Sequence, residues 1–387
     1  MFRATPRNAQ PTASRTNHAG RRRCRCTAAR GGRALWRMLC VALCWPLPAL
    51  LVAPPAAAET WRLETWQRAY DYASDSRIVD YRPLARASRK WRICAAYPHL
   101  KDSYWLSVNY GMVEEARRLG VSLRVVEAGG YPNVQRQIEQ IRQCTAQGTD
   151  VLLLGTVSFD ALTPTVLEIA RRLPVVAVVN DIADAGISAK TGVSWKSMGR
   201  KIGEYLAREH PAGSAPVSIA WFPGPKGSGW VPFVEAGFRE ALGDSSAQIA
   251  ISKYGDTGKE IQLILVEEAL EEMPGVDYIA GNALTAEAAV GVLRARALTG
   301  RIKVLSEYYT HAVYRGLKRG RILAAPTDFP VVQGRLGVEQ AVRVLEGKLT
   351  IRHAGPAIEL VESSNLDSIG THGSLAPATF APTFLVE

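Results

Sequence analysis

Between residues 92 and 179 short apolar runs and amphipathic stretches alternate every 28 residues or so. The runs at 92–97, 121–127, 151–154 and 175–179 are rich in Val, Leu, Ile and Ala, as buried strands are. Between them the stretches 104–119, 134–147 and 160–172 carry apolar residues at helical spacing. Strand–helix–strand units of this length predict a parallel sheet with right-handed crossovers. Few other folds accommodate such a pattern.

A second series follows. Its strands are expected at 217–222, 249–254, 278–280 and 302–306, and its helices at 198–209, 231–242, 259–273 and 285–297. The fold class is therefore α/β, with two doubly wound parallel-sheet lobes. Beyond residue 308 come a short helix (312–319), a strand (322–325), a long helix (331–345) and an apolar segment (358–361). These are too few for a third domain, so they are expected to complete the first two through a multi-crossing hinge. Crossings are expected near 194–195, 306–308 and 326–328. The first lobe is then 91–194 with 307–326, and the second is 195–306 with 327–362. Residues 59–90 read as a polar extension draped on the surface, and 363–387 as a tail.

The formal charge of +11 suggests a nucleic-acid partner until it is located. Residues 1–58 hold ten arginines and no Asp, Glu or Lys, which leaves +1 for the rest. A nearly neutral body argues against nucleic-acid binding. The arginines precede an apolar run, 38–52, and Ala56-Ala57-Ala58. Basic region, apolar core and small-residue site together read as a signal peptide cleaved after Ala58. Translation from Met38 and twin-arginine export through Arg21-Arg22-Arg23 are variants of that reading. The apolar run is shorter than a membrane span and contains prolines. The mature protein is thus expected in the periplasm without membrane insertion. Cys94 and Cys144 then remain, in the first strand and at the end of the second helix. A disulfide and a pair of buried thiols both fit. The six histidines lack metal spacing, no nucleophile has an arranged base, and neither a cofactor nor an enzyme is expected.

The chemistry concentrates at Pro98-His99-Leu100-Lys101-Asp102-Ser103-Tyr104-Trp105, a strand-to-helix turn. Such turns lie at the carboxyl end of a parallel sheet, where ligands bind. Aromatic faces there suit a cationic or methylated nitrogen. The Gly-rich loop 224–230 lacks the Gly-Lys-Ser/Thr ending of a phosphate loop and reads as a connector.

The run from Ala96 to Trp105 resembles the type I periplasmic binding proteins, the ribose-binding-protein-like family, in the branch that senses trimethylamine N-oxide. So do Asn109-Tyr110-Gly111-Met112, Glu127-Ala128-Gly129-Gly130-Tyr131, Val193-Ser194-Trp195 with Met198-Gly199, Ala286-Glu287-Ala288-Ala289 and the run from Val313 to Arg321. The resemblance spans about 91–362. It implies a non-enzymatic protein that holds trimethylamine N-oxide in an aromatic box between two lobes and signals to the periplasmic domain of a sensor histidine kinase. The matching positions are Tyr104, Trp105, Trp195 and Tyr308, with Asp102 in the same motif. Lys226 and Trp230 depart from the family's pattern.

Each residue also has a plainer role. Trp105 and Tyr104 would pack in the first lobe, Trp195 between lobes, and Tyr97 and Trp230 in core or rim. Asp328 either lines the cleft or caps the long helix. Tyr97 and Asp328 are therefore secondary candidates. Four aromatic faces offer roughly 2–8 kcal/mol gross to a methylated cation. Five ligand heavy atoms limit the dissociation constant to about a few micromolar. The competing function is delivery of a sugar or methylated amine to an importer. Sugars call for several charged and amide side chains, and the positions named are mostly aromatic.

Overall fold

The computed structural model describes residues 59–387. The expected signal peptide and its cleavage site lie outside the described residues. In chain order the first elements are β1 (Trp61–Trp66), β2 (Ser76–Tyr81), β3 (Arg92–Tyr97), α1 (Ser103–Leu119), β4 (Ser122–Glu127), α2 (Val134–Ala146), β5 (Val151–Leu154), α3 (Thr163–Ala170), β6 (Val175–Val178) and β7 (Ala189–Thr191). Then come α4 (Trp195–Glu209), β8 (Val217–Gly224), α5 (Val231–Leu242), β9 (Ala247–Tyr254), α6 (Lys259–Glu272), β10 (Tyr278–Gly281), α7 (Ala283–Ala295), β11 (Lys303–Ser306), α8 (His311–Lys318) and β12 (Ala324–Thr327). The chain ends with α9 (Pro330–Leu345), β13 (His353–Pro356), β14 (Glu359–Glu362), α10 (Leu366–Ile369) and β15 (Leu385–Val386).

Two sheets carry the fold. The first runs β15-β4-β3-β5-β6-β7-β13-β1-β2, and the second runs β11-β10-β8-β9. The strands of the second sheet are all parallel, as are β4, β3, β5, β6, β7 and β13 in the first. All four residues of β5 and of β6 are buried, as expected for strands covered on both faces.

The polar extension is not draped over the surface. Its residues form β1 and β2, an antiparallel pair that joins the first sheet through β13. Trp61, Leu63 and Thr65 point inward while their neighbours are less buried, the period-two pattern of a half-buried strand. The tail likewise contributes β15, which pairs antiparallel with β4. Asn109 on α1 fixes it, donating to the Thr383 carbonyl at 3.0 Å and accepting its amide at 2.9 Å.

The expected lobe boundaries after Ser306 need correction. The segment 307–326 stays with the second sheet. Helix α8 packs on α7, and the Leu323 amide donates to the Val304 carbonyl of β11 at 2.9 Å. Helix α9 covers β5, β6 and β7 of the first sheet, and β13 pairs with β7 there. Strand β14 returns to β12. The chain therefore passes between halves at 192–194, 328–329 and 357–358, and the expected crossing at 306–308 does not occur. A lone strand and helix fit either sheet equally well by periodicity. Pairing to β11 decides the matter, and pairing is not encoded locally.

Helix α1 starts on the Asp102 side chain, which accepts the Trp105 amide at 3.0 Å, and stops at Gly120 in the left-handed region, φ 75°. Helices α1 and α9 meet backbone to backbone. A side chain at Gly111 would strike the Val331 carbonyl, and one at Gly334 the Val108 carbonyl. Cys94 and Cys144 form a disulfide tying β3 to α2, with their Cα atoms 6.2 Å apart.

Candidate ligand-binding site

The carboxyl ends of the strands of both sheets converge on a small cavity. From the first half it is lined by Asp102, Tyr104 and Trp105 after β3, Tyr131 after β4 and Asn180 after β6. Trp195, at the start of α4, Trp230, Thr257 and Tyr308 complete it from the second half. Asp102, Tyr104, Trp105, Trp195 and Tyr308, the principal sequence candidates, are thus brought together.

The six rings form a continuous wall. Tyr308 meets Tyr104 edge-on at 5.2 Å, Trp230 at 6.0 Å and Trp195 at 6.5 Å. Trp195 and Trp230 lie 5.2 Å apart, and Tyr131 closes on Trp230 at 6.3 Å. Trp105 sits against Gly155, where any side chain would collide with the indole. The Trp195 indole donates to the Val179 carbonyl at 3.1 Å. Val179 itself has φ 69°, a costly conformation for a β-branched residue. Its backbone delivers both that carbonyl and Asn180, whose amide donates to Tyr131 Oη at 3.2 Å and to the Thr156 carbonyl at 2.7 Å.

Tyr97 does not line the cavity. It lies behind Trp105 at 5.4 Å, with its hydroxyl on Met112 Sδ at 2.9 Å. Asp328 stands behind Tyr104, accepting its hydroxyl at 2.5 Å and the Gln333 amide at 2.6 Å. No side-chain capping bond joins Asp328 to α9. Burial raises the Asp328 pKa to about 6, opposed by those two hydrogen bonds. Burial, reinforced by neighbouring acids, also holds the hydroxyls of Tyr104 and Tyr308 well above the ordinary tyrosine value. Tyr131 is raised too, again chiefly by burial. The lining is therefore mainly aromatic, with hydroxyls, the Asn180 amide and one acidic side chain, Asp102.

At the rim the halves are stitched by Lys101 Nζ to Asp256 Oδ2 at 2.9 Å and by His99 Nε2 to Thr257 Oγ1 at 3.0 Å. Tyr131, Asn180, Thr257 and Trp230 were not among the sequence candidates. Trp230, expected in core or rim, faces the cavity. Tyr131 and Asn180 carried a usable signal, since both follow strands of the parallel sheet. Lys226 instead lies over the Tyr254 ring at 4.4 Å.

Residues 90–371 match the model of the periplasmic binding proteins and sugar-binding domain of the LacI family. The chain belongs to the type I periplasmic binding proteins. It is 42% identical over 304 residues to the periplasmic protein TorT of Escherichia coli K12, covering 78% of this chain and 86% of that one. A solute-binding protein of an ABC transporter from Bradyrhizobium sp. BTAi1, solved with bound bis-tris, is 45% identical with a TM-score of 0.73, covering 85% of this chain and 99% of that one. TorT in its complex with the TorS sensor domain, solved in the presence of trimethylamine N-oxide, is 42% identical with a TM-score of 0.70, covering 76% of this chain and 100% of that one. The resemblance read from the motifs is thus to TorT, and this periplasmic binding protein is a member of a family of binding proteins. Among the described residues no helix is long and apolar enough to cross a membrane.

Proposed function

We propose that this protein is a non-enzymatic periplasmic sensor. It encloses trimethylamine N-oxide in the interlobe cavity and signals to the periplasmic domain of a TorS-like sensor histidine kinase, so regulating trimethylamine N-oxide respiration. The observation that carries this reading is the wall of six rings, drawn from both halves, around one small cavity. A positive methyl shell is attracted to ring faces at about 0.5–2 kcal/mol each. The Asp102 side chain lies in the same lining. A sugar would require many directed polar groups, and this lining supplies few. The kinase partner rests on the likeness to TorT, whose complex with the TorS sensor domain is known.

Calorimetric titration of the mature protein tests the ligand. Trimethylamine N-oxide is expected to bind no tighter than a few micromolar, and ribose is expected to give no heat. Tight ribose binding without response to the N-oxide overturns the reading. Delivery to an importer is the second reading, favoured by the likeness to the Bradyrhizobium solute-binding protein. Co-purification with the periplasmic domain of a TorS-like sensor kinase separates the two.

A further inference from the structure

We infer that the Trp230 indole N–H receives the oxygen of the ligand, making Trp230 the residue that selects an N-oxide over a tetraalkylammonium ion. This rests on the functional reading above and assigns a role within the same cavity. Several polar hydrogens there are already committed. The Trp195 N–H is held by the Val179 carbonyl at 3.1 Å, the Tyr104 hydroxyl by Asp328 at 2.5 Å, and the Asn180 amide by Tyr131 and Thr156. Among the residues lining the cavity, Trp230 Nε1 alone is a buried side-chain nitrogen or oxygen without a hydrogen-bond partner. Trp230 is 2% exposed, so water does not replace that partner from outside.

The indole is also locked in place. Gly224 has φ 114°, and a side chain there would lie 2.7 Å from Trp230 Cη2. The six-membered ring of the indole therefore occupies the space that this glycine leaves. Trp195 and Tyr308 pack against it at 5.2 and 6.0 Å. The N–H edge lies beside the Tyr131 hydroxyl, close enough to lower its pKa but without hydrogen-bond geometry. A fixed, desolvated donor in a wall of rings suits a small ligand with both a methylated cationic shell and one strong acceptor. Tetramethylammonium has the same shell and a methyl group where the N-oxide has oxygen.

The test is Trp230→Phe in the mature protein, which keeps a ring and removes the donor. Titration with trimethylamine N-oxide is expected to weaken roughly 10- to 100-fold, as loss of a hydrogen bond to a charged acceptor does. Tetramethylammonium affinity is expected to stay within about twofold. An equal loss for both ligands, or no loss for the N-oxide, overturns the inference and leaves the functional reading standing. In the unaltered protein the Trp230 indole proton resonance, assigned by its absence in the variant, is expected to move downfield with the N-oxide and not with tetramethylammonium. A resonance that stays put at saturating N-oxide overturns the inference as well. If the unaltered protein does not bind the N-oxide, the functional reading and this inference fall together.

Discussion

Two aromatic clusters lie back to back in this protein, and they differ in what they surround. The first is the wall of rings about the interlobe cavity. The second is built on the N-terminal hairpin, where Trp66 stacks on His353 at 4.3 Å and Tyr72 meets both, at 4.8 and 4.7 Å. Here the cation belongs to the protein. Lys190 Nζ lies 4.5 Å over the Tyr72 ring and is paired with Asp181, both 3% exposed. His353 accepts the Tyr70 amide at 3.0 Å. Asn180 and Asp181 are consecutive, so the strained backbone of Val179 feeds one residue to each cluster. Rings around an internal ion pair consolidate a fold. Rings around a cavity with an unspent donor leave a polar group for a guest to meet, as the proposed function requires.

The largest expected effect falls on the filled cluster. Asp181→Ala leaves a buried ammonium without its partner and is expected to cost about 3–5 kcal/mol in denaturant or thermal unfolding. Affinity per folded molecule should change little. If affinity collapses while stability holds, the two clusters are not separate in role. Trp105→Leu acts the other way. Loss of one ring face should weaken trimethylamine N-oxide binding by about 1–2 kcal/mol, roughly 5- to 30-fold, in calorimetry.

Acid distinguishes the clusters again. Burial, then Lys190, lowers the His353 pKa from 6.5 to about 2. Between those values the unfolded chain binds the extra proton, so stability is expected to fall as pH drops below about 6.5, by up to about 1.4 kcal/mol per pH unit. Asp328 has the opposite sign. With its pKa raised from 3.8 to about 6, the folded state holds the proton more tightly, and its contribution is lost as pH rises through that interval. Over pH 4 to 6 the two contributions oppose each other, so relative to the unaltered protein stability should decline with rising pH in His353→Gln and rise more steeply with pH in Asp328→Asn. Matching profiles in all three proteins would contradict both assignments. The smallest effect belongs to the rim. Lys101 is 41% exposed in its pair with Asp256, so Lys101→Ala should weaken ligand affinity by less than about 1 kcal/mol, and added salt should erase the difference.

Much of the cavity lining was legible beforehand because Asp102, Tyr104 and Trp105 sit where one strand ends and one helix begins, a local event. Trp195 and Tyr308 were found through motif resemblance. Trp230 was not, since its loop reads as a glycine-rich connector. Only the packing of Gly224 beneath the indole and of Gly229 against the Asp181 backbone turns it into wall. The reversed assignment of 307–326 and 327–356 has the same origin, because α8 and α9 are equally good helices for either sheet.

The sequence by itself determined two parallel-sheet halves and an aromatic strand-to-helix turn, because periodicity and capping are properties of neighbouring residues. The tertiary structure alone decided which sheet each late element joins, that the N-terminal segment is a hairpin clamping His353, and which rings enclose a cavity while others enclose a lysine. Those outcomes depend on contacts between residues far apart in the chain, where pairing edges and close backbone approaches select among arrangements that the local pattern leaves equivalent.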